Sequence, residues 1–231
     1  MVRSCYTIFA FLILLISSSC SSNEIGDSKD VNPETVYVNY RVSGDEETAM
    51  ATVQLQFRFG GKNGTTLVLT DPAGVTLDGK QLTVDSSRFN GAYYETMIPV
   101  ADFAGKHTIV FTGYDGKQYK EEFDYPVLSF AQELPAQVKR GPLNIELNGL
   151  NDKDRVEVIL TDTSYYSKDI ARTDTVKNGR IHISALDMEN LRNGPIVLEL
   201  IRQENRPLNQ APQEGGRIQI SYGLKREFTL E

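Results

Sequence analysis

The chain has 231 residues, with 24 basic side chains against 31 acidic ones, and a net charge of −7 that becomes −8 once Arg3 is set aside with the N-terminal segment. An acidic balance with dispersed charges argues against nucleic acid as a partner, because that partner requires a basic footprint. The 11 Tyr, 10 Phe and many Val, Ile and Thr, with no Trp, suit pleated, half-buried surfaces. The roughly 200 residues beyond the N-terminal segment suffice for one large sandwich or two modules of about 100 each.

At the N-terminus, Arg3 is the only charge before Glu24, and Tyr6 to Ile16 is almost wholly apolar. A membrane-spanning helix needs about 20 such residues, whereas a run this short matches the apolar heart of a secretory signal. The run closes on Ser17, Ser18, Ser19 and Cys20. This pattern resembles the lipobox of bacterial lipoproteins, although Ser17 and Ser19 stand where that box prefers Leu and Gly or Ala. The resemblance implies a diacylglycerol thioether on Cys20, removal of residues 1–19, and a membrane partner held through the lipid. The other reading is a plain signal peptide with an accidental cysteine. Cysteine usage favours the lipid: Cys5 leaves with the signal, so Cys20 is then alone and no intrachain disulfide is possible. Acyl chains add about 0.8 kcal/mol of membrane affinity per buried methylene.

Residues 20–34 are polar and lack apolar periodicity, which reads as a flexible tether. Strand patterns follow. "ATVQLQF" puts Ala51, Val53, Leu55 and Phe57 on one face, and "LNIEL", "RVEVIL" and "RIQISYGL" alternate likewise around Ile145, Val158 and Ile220. "LDGKQL", "YDGKQY" and "KNGRI" set Asp-Gly or Asn-Gly pairs between apolar runs, the signal of tight hairpins. "VADFAGKHTIVF" and "ALDMENLRNGPIVLEL" each combine a helical turn, a glycine and a strong strand, about one module apart. In immunoglobulin-like modules a similar segment crosses the sandwich end. Pro126 and Pro135 mark the switch between modules. The predicted fold is all-β: two tandem immunoglobulin-like antiparallel β-sandwiches, residues 35–127 and 128–231, after a signal peptide and a tether.

The lipobox, the acidic tether and two sandwiches without tryptophan resemble small lipoproteins of the Bacteroidota built from immunoglobulin-like domains. The resemblance implies an outer-membrane location on the periplasmic or cell-surface face. Glu24, Asp27 and Asp30 give a diluted version of the acidic surface-export signal seen there, so both faces stay open. It implies no assigned activity.

The sequence carries no HExxH, GxSxG or CxxC, and no cofactor is implied. His182 alternates with Ile181 and Ile183 and points to a solvated face; His107 reads as a corner residue. Asn151, Asp152 and Asp154 offer oxygen ligands for calcium, but turn residues between strands are the ordinary outcome, and no metal is assigned. Phe89, Tyr93, Tyr94, Tyr165 and Tyr166 could stack on a glycan; the competing reading is core aromatics. The favoured function is a non-catalytic adhesion or protein-interaction module of the cell envelope, with glycan binding in polysaccharide uptake as the alternative. The expected partner-binding element is the connection Arg202 to Gly216, far longer than a hairpin needs, with Arg202, Asn205, Arg206, Leu208, Asn209 and Gln213 as contact residues on an end loop.

Overall fold

The computed structural model describes residues 24–162 and 169–231. The signal segment, Cys20, Tyr165 and Tyr166 lie outside the described residues.

Alternation makes the strands, and each strand's apolar parity sets which face it buries. The elements run β1 (Ile25–Asp27), β2 (Val36–Asp45), β3 (Met50–Phe59), β4 (Thr65–Val68), β5 (Gly74–Leu77), β6 (Lys80–Gln81), β7 (Val84–Ser87), β8 (Gly91–Pro99), α1 (Val100–Phe103), β9 (Gly105–Thr112) and β10 (Gln118–Tyr125). After residue 127 come β11 (Ser129–Phe130), β12 (Gln137–Val138), β13 (Leu143–Asn148), β14 (Arg155–Asp162), β15 (Ile170–Thr175), β16 (Arg180–Ile183), α2 (Ala185–Glu189), β17 (Gly194–Pro207) and β18 (Gly216–Leu230). Two of the predicted hairpins take the backbone their sequences call for: Asp78–Gly79 and Asn178–Gly179 have φ of 50° and 79°, and of 53° and 69°, the left-handed pair of a tight hairpin turn. Both corner segments form, as α1 followed by β9 and as α2, capped by Ser184 and Asp187, followed by β17.

The strands assemble into one long sheet and two short ones. The long sheet runs β1-β4-β3-β2-β18-β17-β14-β15, with β8 and β7 joined through β3 and β12 joined to β18. The sheet β10-β9-β5-β6 packs on its first part, and β11-β13-β16 on its second. Phe57 of β3 bridges the first pair of layers: its ring lies 4.5 Å from Phe111 of β9 and 5.7 Å from Tyr94 of β8. In the second, Val156, Val158 and Leu160 of β14 and Leu198 and Leu200 of β17 are buried with Ile145, Leu147, Ile181, Ile183 and Met188. The all-β class and the sandwich packing predicted from alternation are those of the structure.

Strand β18 belongs to both layers. Its distal part, Leu224, Phe228 and Leu230, faces the second core, while Ile218, Ile220 and Tyr222 are buried beside β2 of the first half. There it pairs in parallel with β2, from Gly216↔Val38 to Gly223↔Asp45. The Tyr222 ring sits edge-on to Tyr125 of β10, 6.1 Å between centroids. The first sandwich is thus completed by a strand from the far end of the chain.

Two sequence-based boundaries are corrected here. Residues 25–34, expected within the flexible tether, are folded: β1 pairs in parallel with β4, and two 3-10 turns cover Ser28–Asp30 and Pro33–Thr35. Polar side chains do this in place of apolar periodicity. Asp27 accepts from the Lys29 amide at 3.0 Å and the Thr70 hydroxyl at 2.8 Å, buried Ser28 accepts from the Thr70 amide at 2.9 Å, and Asn32 caps Glu34 at 3.0 Å. The long connection from Arg202 to Gly216 is in part strand as well. β17 continues to Pro207, paired with β18 from Arg202↔Tyr222 to Pro207↔Arg217. Only residues 208–215 form a loop.

Candidate functional site

The six residues predicted to bind a partner do come together, but their contacts lie within the chain. The extended β17–β18 ribbon lays its tip against β10 and the segment before β2. At the centre is Glu121, 1% exposed. Its Oε1 accepts from Arg206 Nη1 at 2.6 Å and Asn209 Nδ2 at 3.1 Å, and its Oε2 from the Asn209 amide at 2.7 Å. Arg206 also donates to the Glu122 carbonyl at 3.2 Å and to Glu204 Oε1 at 3.0 Å. Burial disfavours the guanidinium charge, but Glu121 and Glu204 outweigh it and hold the Arg206 pKa above its ordinary value.

A second contact secures the loop end. Glu34 Oε2 accepts from the Gln213 amide at 2.9 Å, its Oε1 from Lys117 Nζ at 2.7 Å and Tyr119 Oη at 3.1 Å, and its carbonyl from the Glu214 amide at 3.0 Å. The Lys117 ammonium, then the Gln213 amide, hold the Glu34 carboxyl below its usual range. Leu208 packs partly buried against the core. Arg202, on the buried face of β17, donates to Asp154 at 3.2 Å and Glu204 at 3.3 Å, while its buried Nη1 has no hydrogen-bond partner among the described residues. Asn205, paired with Gln219, stays exposed, as do Asn209 and Gln213. The loop is therefore a latch tied to the rest of the chain through Glu121 and Glu34, with Asn205, Asn209 and Gln213 facing solvent. Arg202, Glu204 and Arg206 recur at every second residue and line one face of a strand, where acidic partners from β10 and the turn before β14 meet them; read singly, such residues look like loop.

Beside the latch, Lys106, His107, Asp124, Asn151, Arg202 and Arg206 line a cleft of ≈ 580 Å³. Its charges are of both signs and largely paired. His107 Nδ1 lies 2.7 Å from Asp78 Oδ2, its Nε2 lies 2.7 Å from the Phe103 carbonyl, and its ring stacks on Phe103 at 3.8 Å. That places His107 at the corner, with both ring nitrogens engaged. His182 is exposed and contacts Asn144 at 2.7 Å.

The calcium candidates act as turn residues. Asp152 accepts from the Asn178 amide at 2.8 Å, and Asp154 from the Asn151 amide at 2.9 Å and from Arg202. The glycan candidates do not form one platform: Tyr94 is buried with its hydroxyl on the Leu69 amide at 2.7 Å, whereas Phe89 is exposed on the β7–β8 hairpin tip. Sequence reading missed Glu121 and Glu34. Glu121 carried a signal, since it shares the buried parity of Tyr119, Phe123 and Tyr125 in "QYKEEFDY"; Glu34 carried none.

No family model matches the chain, and no curated protein matches it. Among solved structures it is similar to a tetra-tandem repeat from the extending region of a large adhesion protein, at 14% identity and a TM-score of 0.26 over 78% of this chain and 56% of that one. It is also similar to the IG1+IG2 pair of DIP-gamma, at 12% identity and a TM-score of 0.23 over 84% and 95%. A third is the SGBP-B protein of the Bacteroides ovatus mixed-linkage glucan utilization locus, solved with a mixed-linkage heptasaccharide, at 13% identity and a TM-score of 0.24 over 79% and 53%. The chain spans about half the length of the first and third. Likenesses this weak assign it neither ligand nor partner. No helix among the described residues is long and apolar enough to cross a membrane.

Proposed function

We propose that the chain is a non-catalytic lipoprotein of the bacterial cell envelope, held in the outer membrane through a diacylglyceryl group on Cys20 and acting as an adhesion or protein-interaction module. The observation that carries this reading is the apolar run Tyr6–Ile16 closed by three serines and Cys20, with a folded body starting at Ile25. A run of that length is a signal core and not a span, and the remaining cysteine is then explained by acylation. The body fits a presenting role: the β17–β18 ribbon ties both sandwiches together through Glu121 and Glu34 and carries the second away from the N-terminal end. Arg202, Arg206 and Leu208 are engaged in the latch, which leaves exposed Asn205, Asn209 and Gln213 for a partner there; the opposite end of the ribbon, around α2, where Leu186 is 68% exposed, offers a second surface.

The test is Cys20→Ser in cells, followed by fractionation and mass determination. The wild-type chain should carry the mass of an acylated cysteine at its new N-terminus, and the variant should leave the membrane or keep its signal. A variant that still sediments with membranes at mature length refutes the anchor.

A further inference from the structure

The end of the first sandwich from which the chain leads back to Cys20 carries exposed apolar side chains on three separate segments. Ile25 opens β1 and is 47% exposed, Phe59 closes β3 and is 45% exposed, and Phe89 stands on the β7–β8 hairpin tip, 86% exposed. Thr66 of β4 fixes their proximity. It is the register partner of Ile25 on one side and of Arg58 on the other, and Phe59 pairs with the adjacent Thr65, so Ile25 and Phe59 stand at the same strand end on opposite faces of the sheet. Its hydroxyl donates to the Glu24 carbonyl at 3.5 Å and accepts from the Ala92 amide at 2.9 Å, two residues from the hairpin tip. Gln56 of β3 holds the tip itself, donating to the Asn90 carbonyl at 2.9 Å. Lys62, in the turn after Phe59, and Arg88, beside Phe89, are exposed at the rim.

We infer that this end of the sandwich is a membrane-docking surface, and that Ile25, Phe59 and Phe89 seat in the interfacial layer of the bilayer that holds the Cys20 lipid. The inference rests on the anchor proposed above. Its argument is the short covalent distance left for the anchor. Ser21, Ser22 and Asn23 alone separate Cys20 from Glu24. Four peptide steps span at most about 14 Å even when fully extended. The acyl chains begin at the hydrocarbon boundary, and the headgroup layer above it is about 5–7 Å thick. Glu24 is therefore held within about 10 Å of the membrane surface, and the residues packed around Thr66 reach that surface with it. Apolar and aromatic tips enter the acyl–headgroup boundary of such an interface, and the rim around them carries charges of both signs, Lys62 and Arg88 with exposed Glu24 and Glu214. The opposite end does not reach it: β18 alone is 15 residues long, a rise of about 50 Å at about 3.3 Å per residue.

The chain contains no Trp, so Phe89→Trp gives a sole fluorescent reporter in the lipid-modified, full-length protein, with Ile25→Trp as a second reporter and Leu186→Trp as a control at the far end. Each is reconstituted in phosphatidylethanolamine–phosphatidylglycerol vesicles with and without brominated acyl chains. Docking predicts a blue shift and loss of emission to bromolipid at positions 25 and 89, with none at 186. Vesicle-bound protein whose Phe89→Trp emits as in water, unquenched, refutes docking while leaving the anchor standing. A blue shift without bromolipid quenching also refutes it, since the patch is then covered by protein, a second copy included. A chain that proves unacylated at Cys20 overturns both the anchor and the docking.

Discussion

Expressing residues 24–127 without the rest of the chain should yield a polypeptide that does not fold stably. The cut removes the parallel partner of β2 over the whole stretch from Val38 to Asp45. It also removes Ile218, Ile220 and Tyr222, all essentially buried against the first core. Burying a large apolar side chain contributes about 1.5–3 kcal/mol, so these three together supply about 5–9 kcal/mol. Glu121 loses Arg206 and both Asn209 donors at the same time and is left as a carboxylate among Tyr119, Phe123 and Tyr125. Set against a total domain stability of about 5–15 kcal/mol, the loss consumes most or all of it. The assay is thermal melting followed by circular dichroism, with amide chemical-shift dispersion as a check. Adding a peptide of residues 203–223 in trans should restore a cooperative transition. If residues 24–127 alone melt cooperatively within about 5 °C of the intact protein, an amount worth about 1–2 kcal/mol at this size, then the β18 pairing is dispensable and the two halves are self-sufficient sandwiches divided at residue 127.

Two further perturbations address the latch. Arg206→Ala leaves buried Glu121 with only the Asn209 donors; breaking one side of a buried pair costs about 3–5 kcal/mol, whereas Glu121→Leu with Arg206→Met should recover most of it. Calorimetry should therefore show a melting temperature about 6–12 °C lower for the single variant and a smaller drop for the double one; a single variant within 2 °C of wild type removes the latch from the stability account. Glu34 gives a pH dependence. Its folded pKa is depressed below the ordinary 4.5 by Lys117 and the Gln213 amide, so its contribution is fully present above that ordinary value and is lost as pH falls through the folded one. Between pH 5 and 3 the wild-type melting temperature should fall more steeply than that of Glu34→Gln; parallel profiles would show that Glu34 is not coupled to folding.

How much of this was legible depended on whether the informative contrast lay within a segment or across the chain. Period-two runs such as Val53-Leu55-Phe57 and the Asp78–Gly79 and Asn178–Gly179 pairs encode strand faces and hairpin backbones locally, and they predicted the all-β class and individual turns. Parallel pairing of β18 with β2 joins residues almost 180 positions apart, and no local pattern distinguishes a strand that completes its own sandwich from one that also completes its neighbour. The parity of β18 was visible throughout; its second partner was not.

Both boundary corrections have the same physical origin, and it bears on function. Polar sequence was read as solvent-facing because uncompensated polar groups are costly to bury. In Asp27-Ser28 the compensation is Thr70, and in Arg202-Glu204-Arg206 it is Asp154 before β14 and Glu121 on the inner face of β10. Polarity alone thus separates loop from strand only when the partner is local. The two segments that escaped the pattern are also the two that set the molecule's geometry in the proposed anchored state. The first shortens the link between Cys20 and the folded body to a few residues, and the second prevents the two sandwiches from pivoting freely at residue 127. A bead on a long tether samples every orientation, whereas a body attached through four peptide steps and stiffened by a ribbon about 50 Å long presents one end to the lipid and the other outward. In the anchored state proposed above, the end bearing Phe89 is the one turned to the membrane and the α2 end the one turned outward.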